Sequence, residues 1–104
     1  MTTNEQQHDD GVSPFQNANL LPGARAVLPV KTGVQLVLAI GGKWTKGSQV
    51  EVQCRSQGGS TLLTMTENTI APLPLGTRSV VIAPVRALPG FNLEVRILPL
   101  SYFR

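Results

Sequence analysis

Polar and apolar residues alternate without a fault over residues 49–55, with Val50, Val52 and Cys54 on one side and Gln49, Glu51, Gln53 and Arg55 on the other. A period of two sends successive side chains to opposite faces of an extended chain, so this segment predicts a half-buried strand with Val50, Val52 and Cys54 inward. Residues 92–97 repeat the pattern and place Leu93, Val95 and Ile97 inside. Neither window has the three- and four-residue apolar spacing of an amphipathic helix. Residues 34–40 and 80–83 are nearly continuous apolar runs rich in β-branched side chains, as expected of central strands covered on both faces. Residues 24–30 and 60–66 are weaker strand segments. Pro29 has no N–H to give to a ladder and confines the first of them to an edge or an interrupted strand.

Turn residues punctuate these runs at short intervals: Gly41-Gly42, Lys46-Gly47, Gly58-Gly59, the stretch 72–76 and Pro89-Gly90. The chain therefore reads as all-β, a small antiparallel β-sandwich or partly closed barrel of about six strands. Ten glycines and eight prolines in 104 residues leave little room for long helices, which supports that class. The prolines within 71–76 hold the chain extended, which suits a crossing from one sheet edge to another. Residues 41–47 read as a hairpin tip. Residues 1–23 differ, being rich in Asn, Gln, Thr and Asp with few large apolar side chains beyond Val12, Phe15, Leu20 and Leu21. They predict an extended N-terminal arm without a core of its own. Residues 24–104 then form a single β-domain with an apolar C-terminal tail, and at this length a site between domains is excluded.

Charge sharpens the division. Glu5, Asp9 and Asp10 give the first ten residues −3, while nine cations against Glu51, Glu67 and Glu94 leave residues 11–104 at +6. A basic body with an acidic tail points to an anionic partner, such as nucleic acid, membrane headgroups or an acidic protein surface, or else serves solubility alone. The first ten residues lack the basic and apolar regions of a secretory signal, and no apolar run approaches the roughly 20 residues that span a bilayer. No membrane partner and a cytoplasmic site of synthesis are expected. The single Cys54 cannot form an intrachain disulfide, and its place in an alternating pattern suits a small core side chain in a reducing compartment.

The chemical inventory is thin. His8, the only histidine, and both aspartates, Asp9 and Asp10, fall in the arm. The body has only Glu51, Glu67 and Glu94 as carboxylates, whereas acid–base catalysis usually needs a positioned pair or a histidine. Glu51 and Glu94 would form such a pair only on adjacent strands. Cys54 has no body histidine to activate it, no Ser lies in a nucleophile elbow, and Gly41-Gly42-Lys43 lacks the spacing of a phosphate loop. No catalytic residue, metal site or cofactor is expected, and the chain is read as non-enzymatic.

Two local features suggest binding. Trp44 sits between Lys43 and Lys46, where its ring would cover one end of the core, anchor a protein interface, or stack on a nucleotide base beside cations. The chain closes on Leu98-Pro99-Leu100-Ser101-Tyr102-Phe103-Arg104, two aromatics and a cation that either pack on their own domain or dock into another chain. Candidate partner-binding residues are thus Phe15, Leu20, Leu21, Trp44, Tyr102 and Phe103, and candidate anion contacts are Lys43, Lys46 and Arg104.

In its general plan of an arm joined to a small β-domain, the chain resembles the all-β cement or decoration proteins of tailed bacteriophage virions. That resemblance implies a location in the virion after synthesis in the host cytoplasm. Its partners would be major capsid or other virion subunits and copies of itself, bound through the arm and strand edges. The alternative from a different class is a single-stranded nucleic-acid binding module of OB type, motivated by the basic body and by Trp44 with its lysines.

Overall fold

The computed structural model describes residues 13–86 and 88–103. Residues 1–12 of the expected arm and the candidate anion contact Arg104 lie outside them. Eight strands are formed: β1 Gln16–Leu20, β2 Ala26–Pro29, β3 Leu36–Lys43, β4 Gln49–Ser56, β5 Gly59–Met65, β6 Thr69–Pro72, β7 Thr77–Arg86 and β8 Asn92–Pro99, with a 3₁₀ turn at Leu100–Phe103.

β1 pairs with β8, β2 with β7, β3 with β6 and β4 with β5, all antiparallel. The first half of the chain thus lies against the second as one long hairpin with its tip at residues 57–58. Folded over, the hairpin places its successive pairs in opposite sheets, giving β1-β8-β3-β6 (sheet I) and β2-β7-β4-β5 (sheet II). Antiparallel ladders between β3 and β8 and between β4 and β7 complete each sheet. This strand order is the jelly-roll wrap, in which two four-stranded sheets pack face to face.

The alternation read from the sequence sets the core. Val50, Val52 and Cys54 of β4 and Leu93, Val95 and Ile97 of β8 are all buried, and they pack with Leu36, Leu38 and Ile40 of β3 and Val80 and Ile82 of β7. The continuous runs of β3 and β7 are covered on both faces. Val37 and Val81, on the faces turned away from the core, are only 3% and 6% exposed. Pro29 lies on β2, an edge strand, where its missing N–H costs no ladder bond.

Three expectations are corrected. The described residues form eight strands rather than about six, because the sequence pattern does not predict β1 and β6. β1 lies inside the segment read as an arm. Its Ala18 and Leu20 are in register with Val95 and Leu93 of β8, and Leu20 is fully buried, so residues 16–20 belong to the sandwich and Leu20 is no partner contact. Finally, residues 44–48 do not form a hairpin tip. β3 ends in sheet I and β4 begins in sheet II, so this segment crosses the end of the sandwich, and β4–β5 is the only sequential strand pair among the described residues that shares a ladder.

Local chemistry fixes that crossing. Gly42 has φ +135°, and a Cβ there would stand 2.7 Å from the Asn92 carbonyl oxygen, so only glycine lets β3 pass β8 at this point. Asn68 Oδ1 accepts hydrogen bonds from the Gly42 N–H at 3.2 Å and from Trp44 Nε1–H at 2.8 Å. Thr45 Oγ1 donates to the Pro89 carbonyl at 2.8 Å and ties the crossing to the loop before β8. Among the described residues no helix is long and apolar enough to cross a membrane.

Candidate functional site

The strand directions give the sandwich two ends. One end gathers the loop 21–25, the crossing 44–48, residues 66–68 and the loop before Phe91; Trp44 marks it. The opposite end gathers residues 13–15, the loop 31–35, the turn 57–58, the loop 73–76 and the 3₁₀ turn. The first described residues and the last therefore meet at one end.

That meeting is a direct contact. Phe15 lies edge-to-face on Tyr102 with ring centroids 6.2 Å apart, and Tyr102 lies edge-to-face on Phe103 at 5.5 Å. All three rings are about half exposed, at 53%, 59% and 47%. The 3₁₀ turn is held in place by the Leu100 N–H, which donates to the Gln35 carbonyl at 2.9 Å. Gln35 in turn donates its side-chain N–H to the carbonyls of Leu36 and Leu73, binding the loops 31–35 and 73–76 together. A cleft of about 330 Å³ lies between those two loops, with Val34 and Leu75 among its lining residues.

Leu75 and Val34 are themselves exposed, at 80% and 40%. Sequence reasoning did not single them out. A leucine set between Pro74 and Gly76 in a turn was the available signal, since such tips usually carry polar residues. Exposed Phe15, Val34, Leu75, Tyr102 and Phe103 thus share one end, whereas monomer surfaces rarely gather large apolar side chains in one place. Lys31, Arg55 and Arg78 belong to the same end, and Arg78 donates to the Gln57 amide oxygen at 3.2 Å. Among the described residues no Asp or Glu side chain is found there: Glu67 is at the Trp44 end, and Glu51 and Glu94 are on the Trp44 halves of β4 and β8.

The other candidates fall elsewhere. Leu21 is exposed at the Trp44 end, as are Lys43 and Lys46. Trp44 is partly buried against the core, edge-to-face on Phe91 at 6.0 Å, with its indole N–H bonded to Asn68. Its ring is engaged in closing the sandwich, and the reading in which Trp44 covers one end of the core describes it.

Chemical potential is equally local. Glu51 and Glu94 stand on strands of different sheets and on outward faces, so they form no pair. Among the described residues no group of three or more His, Cys, Asp or Glu side chains lies close enough to hold a metal ion. Cys54 is buried, and burial pushes its thiol above its ordinary range by disfavouring the thiolate. Alkylation of Cys54 in the folded protein at pH 8 is therefore expected to be about a hundredfold or more slower than in denaturant, because it waits for an opening of the sandwich; mass spectrometry of iodoacetamide-treated samples reads this. Equal rates would place the thiol at the surface. The same shift makes stability fall as pH rises above the ordinary thiol range towards the raised value, since the unfolded chain releases that proton first.

No family model, no curated protein and no solved structure matches the chain.

Proposed function

We propose that this protein is a non-enzymatic assembly protein that docks through its Phe15–Tyr102–Phe103 end onto a protein surface with apolar and acidic groups. The carrying observation is the aromatic cluster itself: both ends of the described chain converge on three half-exposed rings at an end bearing Lys31, Arg55 and Arg78. Aromatic and arginine side chains are the residues that most often supply binding energy at protein interfaces, and a cationic rim favours an acidic counterpart. In its finer form the proposal is an accessory virion protein of the cement or decoration type, made in the host cytoplasm and bound to capsid subunits. Virus shell domains are among the proteins built on the jelly-roll wrap, as are lectins and cupins, so this support is analogy of architecture.

The nucleic-acid alternative draws less support. An OB module is a five-stranded, partly open barrel, whereas these eight strands form two sheets, and the Trp44 ring proposed to stack on bases packs against Phe91.

The test is co-sedimentation with capsid shells of the encoding phage assembled without this protein. Wild-type protein is expected to saturate the shells, and Phe15→Ala/Tyr102→Ala/Phe103→Ala is expected to bind about a hundredfold more weakly while melting normally. Shells that take up neither protein, or both equally, would overturn the proposal.

A further inference from the structure

We infer that the free edge of β5 is a self-association site, where a second copy of this chain adds its own β5 antiparallel and joins the two sheets II into one. An exposed strand edge presents unpaired N–H and C=O groups, and proteins that stay monomeric usually blunt it with a proline, a charge, a bulge or a very short strand. Three of the four sheet edges here are blunted in this way or covered. β2 has four residues and ends at Pro29, and β6 has four and ends at Pro72. β1 is five residues long and lies beside β2, where the Gln16 side chain donates to the Pro29 carbonyl. Among the described residues β5 alone is long and undefended: Gly59–Met65 is seven residues with no proline and no charge, and its register with β4 is unbroken.

The residues of β5 are also self-complementary. Leu63 and Met65 turn towards the core, while Ser60, Leu62 and Thr64 face outward. Residues directly opposite one another in an antiparallel pair share a face, so a two-fold that keeps core with core must set one residue opposite its own copy. A two-fold at Leu62 engages the full strand. It sets Leu62 against Leu62, Thr61 against Leu63, Ser60 against Thr64 and Gly59 against Met65.

The outer face of sheet II continues the match. Leu62 is in register with Gln53, Val81 and Val27, a cross-sheet row in which Leu62 and Val27 are 58% and 53% exposed. Across the two-fold this row meets its own copy and covers Leu62 with Leu62. On the flanking rows Arg55 is in register with Ser60, and Glu51 with Thr64. Pairing Ser60 with Thr64 of the second copy therefore aligns the Arg55 row with the Glu51 row, opposite charges rather than like ones.

Light scattering on the purified full chain tests this. A mass near twice 11.1 kDa is expected at about 0.1 mM, falling towards 11.1 kDa on dilution. Leu62→Lys places two cations at the axis and is expected to give the monomer mass throughout; because Leu62 is exposed, its melting is expected to stay that of the dilute wild type. The register is read by disulfide trapping with Cys54 left in place, since it is buried. Leu62→Cys sits opposite itself, within reach of a disulfide, and is expected to form a covalent dimer on mild oxidation. Thr64→Cys, opposite Ser60, is expected not to. A wild type that stays monomeric, a dimer indifferent to Leu62→Lys, or equal trapping of the two cysteine variants would overturn the inference.

Discussion

Deleting residues 1–23 is expected to abolish the cooperative thermal transition of the sandwich, and Leu20→Ala alone is expected to cost about 2–5 kcal/mol. Leu20 is fully buried beside Leu93, and β1 supplies the ladder that covers one edge of β8 from Leu93 to Ile97. Removing β1 takes away that ladder and the Leu20 side chain together. It also opens the core over Leu93, Val95 and Ile97, all fully buried in the intact fold. A domain of this size is stable by only about 5–15 kcal/mol, so losses on this scale exceed what it can absorb. Deletion of residues 1–12 is expected to leave the transition in place, because β1 and Leu20 are both retained. Near-ultraviolet circular dichroism during a thermal ramp distinguishes the two truncations, and equal melting of both would show that β1 contributes nothing to the core. A test of the acidic segment in partner binding must therefore cut before Ser13.

Legibility in the sequence followed how many consecutive residues obeyed one rule. β4 and β8 each offer an uninterrupted alternation, and their inward residues are the buried ones. The runs in β3 and β7 announced two covered faces, and Val37 and Val81 are buried on the outer faces as that reading requires. β1 alternates too, with Asn17 and Asn19 outward, but of its inward members Gln16 is polar and Ala18 small, which leaves Leu20 alone to stand against the polar composition around it. β6 is four residues long, with an exposed Ile70, and such a strand exists only because β3 lies beside it. The connection 44–48 was misread for a related reason: glycine-rich turns announce a reversal but not which sheet receives the next strand. The site divides in the same way. Phe15 stood out as one of the few large apolar side chains of a polar arm, and Tyr102 and Phe103 as aromatics in an apolar C-terminal tail, but that they touch depends on β1 and β8 being neighbours, a pairing that no local pattern contains.

Phe91→Ala is expected to destabilise the protein by about 3–5 kcal/mol, and Trp44→Ala by about 2 kcal/mol. Phe91 is 2% exposed and is among the largest of the buried side chains; its ring plugs the Trp44 end of the sandwich. Trp44 lies edge-to-face over it and covers what would otherwise be an open rim of the core. Because the two rings touch, the double variant is expected to lose less than the separate losses together, by about 0.5–1.5 kcal/mol, the usual worth of an aromatic pair. Trp44→Phe separates the ring from its polar handle. It retains an aromatic face for Phe91 but removes the indole N–H, leaving Asn68 Oδ1 with the Gly42 N–H alone, so a loss of about 1 kcal/mol is expected. Urea titrations of the wild type and the four variants give these values. Titration with a labelled oligonucleotide completes the comparison, because a Trp44 that stacks on bases would lower affinity on truncation while leaving the urea midpoint nearly unchanged. A Trp44 that closes the core moves the midpoint instead, and the shared contact with Phe91 makes that movement depend on whether Phe91 is present.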